Sequence, residues 1–341
     1  MERVAFKIIS PQDIAQEFPY QTRYRPEDEK LTRAVALYGV IQPLLVTKSP
    51  SPRPGEGRPP EGRASPVGGV RGLQLISGHQ RFQAVCRLGL RHVPVLEIQN
   101  PAAGGDLFIL ALLSNFNHAL TDLDKAWALR RAVETFHWRE EDVLDEIFPC
   151  LGLAASPHLL KEYLDIARLE PALLDSIADR CLPFRGARRL TRFSREDQIT
   201  LAQEIVLKIS LTTNQWLKTG EWLSDLLKSG NRSLSALLQV QSLRSVLNSP
   251  RGDKRQRAEK FFQAVRNLRF PHWVEQERRF ENFSREIEKE FGNVTLEVPP
   301  HFEGEGFVLR AKIRRPDSLD EVVELVRRRR ESLNSLFDIV L

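Results

Sequence analysis

Short apolar segments separated by glycine and proline turns fill the first hundred residues of the chain. Their spacing predicts a helix that ends at a C-capping glycine, then a strand, a second strand, a helix and a third strand, over residues 31–39, 44–46, 73–76, 79–88 and 93–98. This order is typical of a small α/β domain, which we expect over residues 1–106. Gly78 lies in the turn between the second strand and its helix, where backbone amides can face an anion.

One stretch inside this domain has a different composition. Residues 49–72 hold six prolines and six glycines among 24 residues and almost no apolar side chains. Such a stretch can neither hold a helix nor supply a core. We therefore expect a flexible insertion in a loop between two strands.

From residue 107 onward the pattern becomes helical for more than 130 residues. Apolar residues recur at three- and four-residue spacing, which predicts a helical domain over residues 107–245. The predicted helices cover residues 107–117, 122–136, 140–148, 158–168, 171–179, 195–209 and 213–228.

The last ninety residues combine helical and alternating patterns. The prediction is two charged helices, a strand pair and a closing helix, over residues 254–267, 271–291, 294–298, 307–313 and 318–330. The alternation places Thr295, Glu297, Arg310 and Lys312 on one face of the strand pair. Residues 250–341 are therefore expected to form a C-terminal α+β module, and the fold class of the whole chain is α+β.

Composition excludes two broad classes of protein. With 41% hydrophobic residues and a net charge of +5 over 341 residues, the chain has too much apolar content and too little net charge to be disordered throughout. No apolar run approaches the roughly 18 residues that a membrane span needs, and the first residues lack a signal-peptide core. We expect a cytoplasmic protein.

The three cysteines, Cys86, Cys150 and Cys181, lie far apart, and none has a CxxC partner. Their odd number disfavours a disulfide framework, and no histidine lies beside a cysteine at zinc-ligand spacing. We expect three reduced, buried cysteines and no metal site.

Three boxes follow one another along the first 120 residues. The first joins FPYQTR, from Phe18, with GVIQPL, from Gly39; the second is SGHQRFQA, from Ser77, followed by LG and VPV; the third is SNFNH, from Ser114. In order and spacing they resemble the N-terminal domain of the ParB family, the partition proteins whose fold is shared with sulfiredoxin. The family's corresponding boxes are an entry segment with G-x-x-Q-P, then GERRxRA, then ENxQR, and the similarity continues weakly to about residue 240.

The resemblance implies a site for cytidine triphosphate (CTP), whose binding in the family closes two subunits into a clamp on DNA. A glycine turn lets backbone amides approach phosphates, and Arg81 can add charge-assisted hydrogen bonds. The alternative is that Gly78 serves only a tight turn and Arg81 only a surface salt bridge. The residues of this chain at the family's nucleotide positions are Gly39, Gln42, Pro43, Ser77, Gly78, His79, Gln80, Arg81, Gln83, Asn115, Asn117 and His118.

The second box departs from the family pattern in its charge. Of its three family arginines only Arg81 remains, because Gln80 and Gln83 occupy the other two positions. Neutral side chains can still donate hydrogen bonds to phosphate, and Arg87 or Arg91 could supply the missing charge if they turn inward.

Both family glutamates are also replaced, by His79 in the second box and by Ser114 in the third. Magnesium prefers oxygen ligands that usually include carboxylate, so magnesium is at most an optional cofactor here. Nucleotide binding is therefore favoured over hydrolysis, and CTP hydrolysis is the least supported activity.

The family's helix-turn-helix falls on residues 138–169, with residues 156–169 as the candidate recognition helix. Phosphate neutralisation requires positive charge, but this stretch has a net charge of −4. We interpret it as a degenerate helix-turn-helix, either a structural remnant or a protein-binding surface. Its charged residues are Glu140, Glu141, Asp142, Asp145, Glu146, Glu162 and Asp165 against Arg139, Lys161 and Arg168.

Residues 180–195 have the opposite character, with six arginines and no acid. Such a run can line a phosphate backbone, and an inter-helix loop that forms salt bridges to the acidic helices is an equally good interpretation. The candidate nucleic-acid ligands are Arg185, Arg188, Arg189 and Arg192.

Three functions remain open at this stage. The first is a ligand-switched regulator or adaptor that binds CTP and is linked to DNA partition; the second is a DNA-binding partition or transcription factor of the ParB type, associated with the nucleoid. The third is an enzyme of this fold, a CTPase, kinase or nuclease. The C-terminal module can dock a protein partner, form a homodimer or pack as a monomer.

Overall fold

A computed structural model describes most of the chain, and the expected α+β class is confirmed. It divides into two compact units, residues 1–261 and 262–341. Nearly all of the predicted insertion, residues 49–71, lies outside the described residues. The described residues are 4–25, 28–48, 72–99, 104–115, 120–230, 232–250, 252–290, 292, 294–297, 307–313 and 317–334.

A four-stranded sheet organises the first part of the chain. Strands β1 (Val4–Ile9), β2 (Leu44–Lys48), β3 (Leu73–Ser77) and β4 (Val93–Ile98) lie in the order β1-β4-β2-β3. Strand β2 runs parallel to β4, and the other two neighbouring pairs are antiparallel. The predicted elements do not include β1, because its strand conformation depends on pairing with β4 some ninety residues away.

Helices α1 (Glu29–Tyr38) and α2 (His79–Arg87) complete the α/β part. Asp28 caps α1, and Gly39 ends it with a positive φ, as the glycine pattern predicts. One face of the sheet and α2 share a core that excludes water. This core contains Ile14, Leu44, Val46, Leu75, Phe82, Val85, Val93 and Val95.

The remainder of the first unit is helical. Its helices are α3 (Gly104–Leu113), α4 (Asp122–Glu134), α5 (Glu140–Asp142), α6 (Phe148–Cys150), α7 (Pro157–Ala167), α8 (Pro171–Ala178), α9 (Phe184–Ala187), α10 (Arg195–Thr200), α11 (Thr213–Gly230), α12 (Leu234–Leu238) and α13 (Gln241–Leu247). The division between the two units falls within α14 (Lys254–Arg269). Two predicted helices contain π-helical segments, Val143–Ile147 and Leu201–Val206. Helices α9, α12 and α13 are short, so local spacing did not predict them.

The second unit contains α15 (Pro271–Glu290), β5 (Val294–Glu297), β6 (Val308–Ala311) and α16 (Asp317–Arg328). In the antiparallel pair, Thr295 lies opposite Arg310, and Arg310 contacts Glu297 at 3.1 Å. The predicted polar face is therefore confirmed for these three residues. The opposite face packs on a small core that includes Ile287 and Leu325.

The predicted burial of the cysteines is wrong for Cys86 and Cys181, which are exposed, while Cys150 is half-buried. In α2 the residues that face the core are Phe82 and Val85, and Cys86 lies on the outer side. Helical position rather than residue type decides its exposure.

Candidate functional site

The turn at Gly78 connects β3 to α2. Gly78 has φ +99°, a left-handed conformation, and α2 begins at His79 with no side-chain cap. A Cβ atom at Gly78 would lie 2.7 Å from Leu44 Cδ2 and 3.1 Å from Arg81 Nη2. Glycine is therefore required, and the first-turn amides of α2 have no partners within the helix. Ser77, which ends β3, is buried.

Arg81 joins the second box to the first. Its Nη1 donates hydrogen bonds to the carbonyl oxygens of Gln42, at 2.6 Å, and Pro43, at 2.8 Å. Burial lowers the pKa of Arg81. The surface salt bridge considered for Arg81 is not what the structure shows, because these partners are main-chain carbonyls of the G-x-x-Q-P turn.

His79, at the start of α2, is buried, with 9% of its surface exposed. Its ring meets the edge of Phe18 at 5.6 Å between centroids, and its Nε2 is buried without a hydrogen-bond partner among the described residues. Burial, and then the positive charges of Arg131 and Arg81, lower the pKa of His79 to about 3. His79 is therefore neutral at physiological pH.

The third box reaches the entry segment through Asn115. Its Nδ2 donates to Thr22 Oγ1 at 3.3 Å and to Ala111 O at 2.8 Å, so Asn115 ties the end of α3 to residues 20–25. Thr22 is buried, and it is not one of the residues at the family's nucleotide positions. Asn117 and His118 lie outside the described residues.

The other residues that the sequence predicts to bind the nucleotide lie in the turn after α1 and on α2. Gly39 and Gln42 are exposed in the turn after α1, whereas Gln80 and Gln83 are half-buried on α2. The suggestion that Arg87 or Arg91 turns inward is wrong, since both are exposed. Any compensating positive charge must come from another element.

A buried carboxylate anchors the entry segment to α4. Asp124, with 6% of its surface exposed, accepts hydrogen bonds from the Tyr24 amide at 3.0 Å, from Arg23 Nη1 at 3.4 Å and from both the amide and hydroxyl of Thr121. Asp124 therefore completes the capping box of α4, whose N-cap is Thr121, and orders residues 23–24 at the same time.

Beyond Asp124, the entry segment also contacts α8. Tyr24 Oη donates to Asp175 at 3.1 Å, and Arg25 pairs with Asp175 at 2.7 Å and with Asp179 at 2.6 Å. Burial and the Asp175 carboxylate raise the pKa of Tyr24 to about 12. The amino-acid sequence alone does not predict these contacts, because they join residues about 150 positions apart.

The arginine-rich stretch forms α9 and a 3-10 helix, Arg188–Arg192, rather than a loop. Arg188 contacts Glu162 at 3.3 Å and Arg195 contacts Glu170 at 3.4 Å, as the salt-bridge interpretation expects. Arg189 pairs with Glu221 of α11 at 3.7 Å. Part of the positive charge of this stretch is thus neutralised.

Two general properties complete the picture of the described residues. None of their helices is long and apolar enough to cross a membrane. Nor do they contain a group of three or more histidine, cysteine, aspartate or glutamate side chains able to hold a metal ion.

Sequence comparisons relate the chain to the ParB family of partition proteins, confirming the resemblance. It is 26% identical over 194 residues to the chromosome-partitioning protein ParB of Caulobacter vibrioides, covering 53% of this chain and 57% of that protein. It is 24% identical over 179 residues to the nucleoid occlusion protein of Listeria innocua, covering 52% of this chain and 54% of that protein. The matches thus span little more than half the length of these relatives.

No family model matches the chain. Among solved structures, a C-terminally truncated ParB from Caulobacter crescentus, complexed with CTP-gamma-S, has 21% identity and a TM-score of 0.26. The alignment covers 59% of this chain and 99% of that chain.

Proposed function

We propose that the chain is a ParB-type protein that binds CTP at the Gly78 turn and acts as a ligand-switched regulator linked to partition. The observation that carries the proposal is the connection of the boxes by side-chain hydrogen bonds. Arg81 holds the Gln42–Pro43 turn, and Asn115 holds Thr22. These hydrogen bonds bring together residues that are far apart in sequence, which supports a single site formed by the three boxes.

The chemistry of the turn suits a phosphate-bearing ligand. The first-turn amides of α2 lack intrahelical partners, so they are available to donate hydrogen bonds to a phosphate. His79 and Ser114 stand at the family's glutamate positions and offer no carboxylate for magnesium. We therefore propose binding without hydrolysis.

Calorimetric titration of the full chain with the four nucleoside triphosphates, with and without magnesium, tests this function. We expect selective binding of CTP. Replacing Asn115 with alanine should weaken that binding by about tenfold or more, because a positioned hydrogen bond to the entry segment is lost.

Ser114→Ala is the matched control for Asn115→Ala. Ser114 Oγ also donates to a carbonyl four residues earlier, Leu110 O, at 2.7 Å, but the side chain is exposed and does not reach Thr22. Its CTP affinity should equal that of the wild type. No heat with any of the four nucleotides would refute the proposed function.

Nucleic-acid binding is a second candidate function, favoured by a cleft of about 730 Å³ between α7 and residues 188–192. Basic side chains outnumber acidic ones along its walls, so the cleft can attract phosphates. The charged lining residues are Lys161, Arg168, Arg188, Arg189 and Arg192 against Glu162 and Asp165.

Replacing Arg188 and Arg189 together with glutamate should abolish retention of duplex DNA by the chain in low-salt electrophoresis, since the change reverses two charges at the cleft. Reversal of exposed Arg33 and Arg87 is the control for net charge alone, and it should leave retention nearly unchanged. Equal retention of DNA by the wild type, the Arg188 and Arg189 variant and the Arg33 and Arg87 variant would exclude this cleft as the DNA-binding surface.

A homodimer through the second unit is the third element of the proposal. Leu319, Val323 and Val326 form an exposed stripe at helical spacing on α16, while Leu325 faces the small core. A second copy of the chain would cover this stripe, as the resemblance implies. Sedimentation equilibrium of the full chain distinguishes the dimer from a monomer.

A further inference from the structure

The four-stranded sheet has one covered edge and one open edge. At the β3 edge, Ile14 pairs with Leu73 in an isolated parallel bridge, and the Ala15 amide donates to Leu73 O at 2.9 Å. At the opposite edge, β1 pairs with β4 and with no other strand that the structure describes. The main-chain groups on the outer side of β1 are therefore available to another strand.

Strand β1 also carries bulky apolar side chains that belong to no core. Val4, Phe6 and Ile8 alternate along the strand, so they share one of its faces. Their exposed fractions are 43%, 61% and 65%, respectively. Of the six residues of β1, only Ile9 packs against one of the hydrophobic cores of the described residues. The three exposed side chains thus have no packing role within the chain.

The same apolar face continues onto the neighbouring strand. The residues of β4 opposite the three exposed side chains are half-buried, and they are Ile98, Leu96 and Pro94. Ile98 packs against the core of the helical part. The face is therefore covered by the chain at its inner end and open to solvent along β1.

Edge strands of natural proteins usually carry a feature that prevents another strand from adding, such as a proline, a bulge or a charge. Strand β1 contains no proline, and its register with β4 is continuous over all six residues. Its one charged residue, Lys7, lies on the face opposite to Phe6 and pairs with Glu97 of β4. The apolar face of β1 therefore lacks this protection.

We propose that β1 is a docking edge for an extended segment of a partner protein, which adds to the sheet antiparallel to β1. Main-chain hydrogen bonds hold the segment, and its alternate apolar side chains cover Val4, Phe6 and Ile8. An acidic residue between them lies beside Lys7, because Glu97 accepts only one of the three donors of the ammonium group. The docking edge is independent of the proposed CTP function, since it contains none of the nucleotide positions.

The size of the apolar face favours a short segment over a second copy of the chain. Val4, Phe6 and Ile8 together expose on the order of 300 Å² of apolar surface, the size of a patch that is often functional on a monomer. A stable dimer buries roughly 800 Å² on each partner. A single added strand needs no more than the open side of β1.

Fluorescence anisotropy with the full chain and a labelled synthetic peptide tests the docking edge. The peptide has ten residues, in which valine alternates with threonine and glutamate. We expect saturable binding to the wild type. The same peptide with every backbone amide methylated should not bind, because it cannot donate main-chain hydrogen bonds to β1.

Phe6→Glu should weaken binding of the unmethylated peptide about tenfold or more, because it places a charge against apolar side chains of the peptide. Leu207→Glu is the matched control, since Leu207 is 59% exposed and follows the π-helical segment Leu201–Val206, away from β1 in sequence. Its affinity for the peptide should equal that of the wild type. Ile8→Glu is the second variant if Phe6→Glu does not fold.

Three results would overturn the docking edge. They are the absence of saturable binding by the wild type, equal binding of the methylated peptide, and equal affinity of the wild type and a folded glutamate variant of β1. Sedimentation equilibrium checks the nature of the partner. A dimer of the wild type that is lost in Phe6→Glu would show that β1 binds a second copy of the chain, and the assignment to a partner segment would then be wrong.

Discussion

Replacing Gly78 with alanine should lower the free energy of unfolding of the first unit by roughly 2–5 kcal/mol. A left-handed conformation costs a non-glycine residue roughly 1–2 kcal/mol, and overpacking adds roughly 1–3 kcal/mol. Both apply at φ +99°, where the new Cβ would lie 2.7 Å from Leu44 Cδ2. Urea unfolding monitored by far-ultraviolet circular dichroism measures the change.

Gly89→Ala is the matched control, because Gly89 also has a positive φ, +64°, but has nothing within 4 Å of the position of a Cβ. It should show only the conformational cost of roughly 1–2 kcal/mol. Since the overlap at Gly78 also involves Arg81 Nη2, the alanine at 78 should additionally weaken CTP binding. Equal destabilisation by the two alanines would contradict the close approach at Gly78.

Replacing Asp124 with alanine should cost roughly 3–5 kcal/mol, because the change leaves the partly buried Arg23 charge without its partner. The Tyr24 amide and the hydroxyl of Thr121 lose the same acceptor. The side-chain half of the capping box of α4 is therefore lost together with the order of residues 23–24, whereas the amide of residue 124 keeps its bond to Thr121. The same urea unfolding experiment measures the effect.

Asp122→Ala controls for removing a carboxylate from the first turn of α4. Asp122 is exposed and accepts a hydrogen bond from Tyr163 Oη at 3.2 Å, so its replacement should cost about 1 kcal/mol or less. If Asp124→Ala is no more destabilising than Asp122→Ala, the anchoring of the entry segment by Asp124 is wrong.

Helix and strand positions near the candidate site followed from local spacing. The glycine before α2, the apolar strand before it and the helix from His79 were all predictable, because chain geometry and side-chain period act over a few residues. Strand β1 and helices α12 and α13 were not predictable from local spacing, since long-range packing stabilises them more than their own sequence does.

The assignment of partners to charged residues depended still more on the tertiary structure. Arg81 was predictable as a member of the site, but its bonds to the Gln42 and Pro43 carbonyls were not. Arg131 belongs to no box of the sequence, and only the folded chain brings its Nη1 to the carbonyl oxygen of Pro19 in the first box.

The amino-acid sequence alone determined the α+β class, the glycine turn and the loss of the family's arginines and glutamates from the boxes, because these depend on residue type and short-range spacing. Only the folded chain decided that Arg131 binds the Pro19 carbonyl and which carboxylate anchors the entry segment. Those choices depend on contacts between residues about one hundred positions apart, which no local pattern encodes.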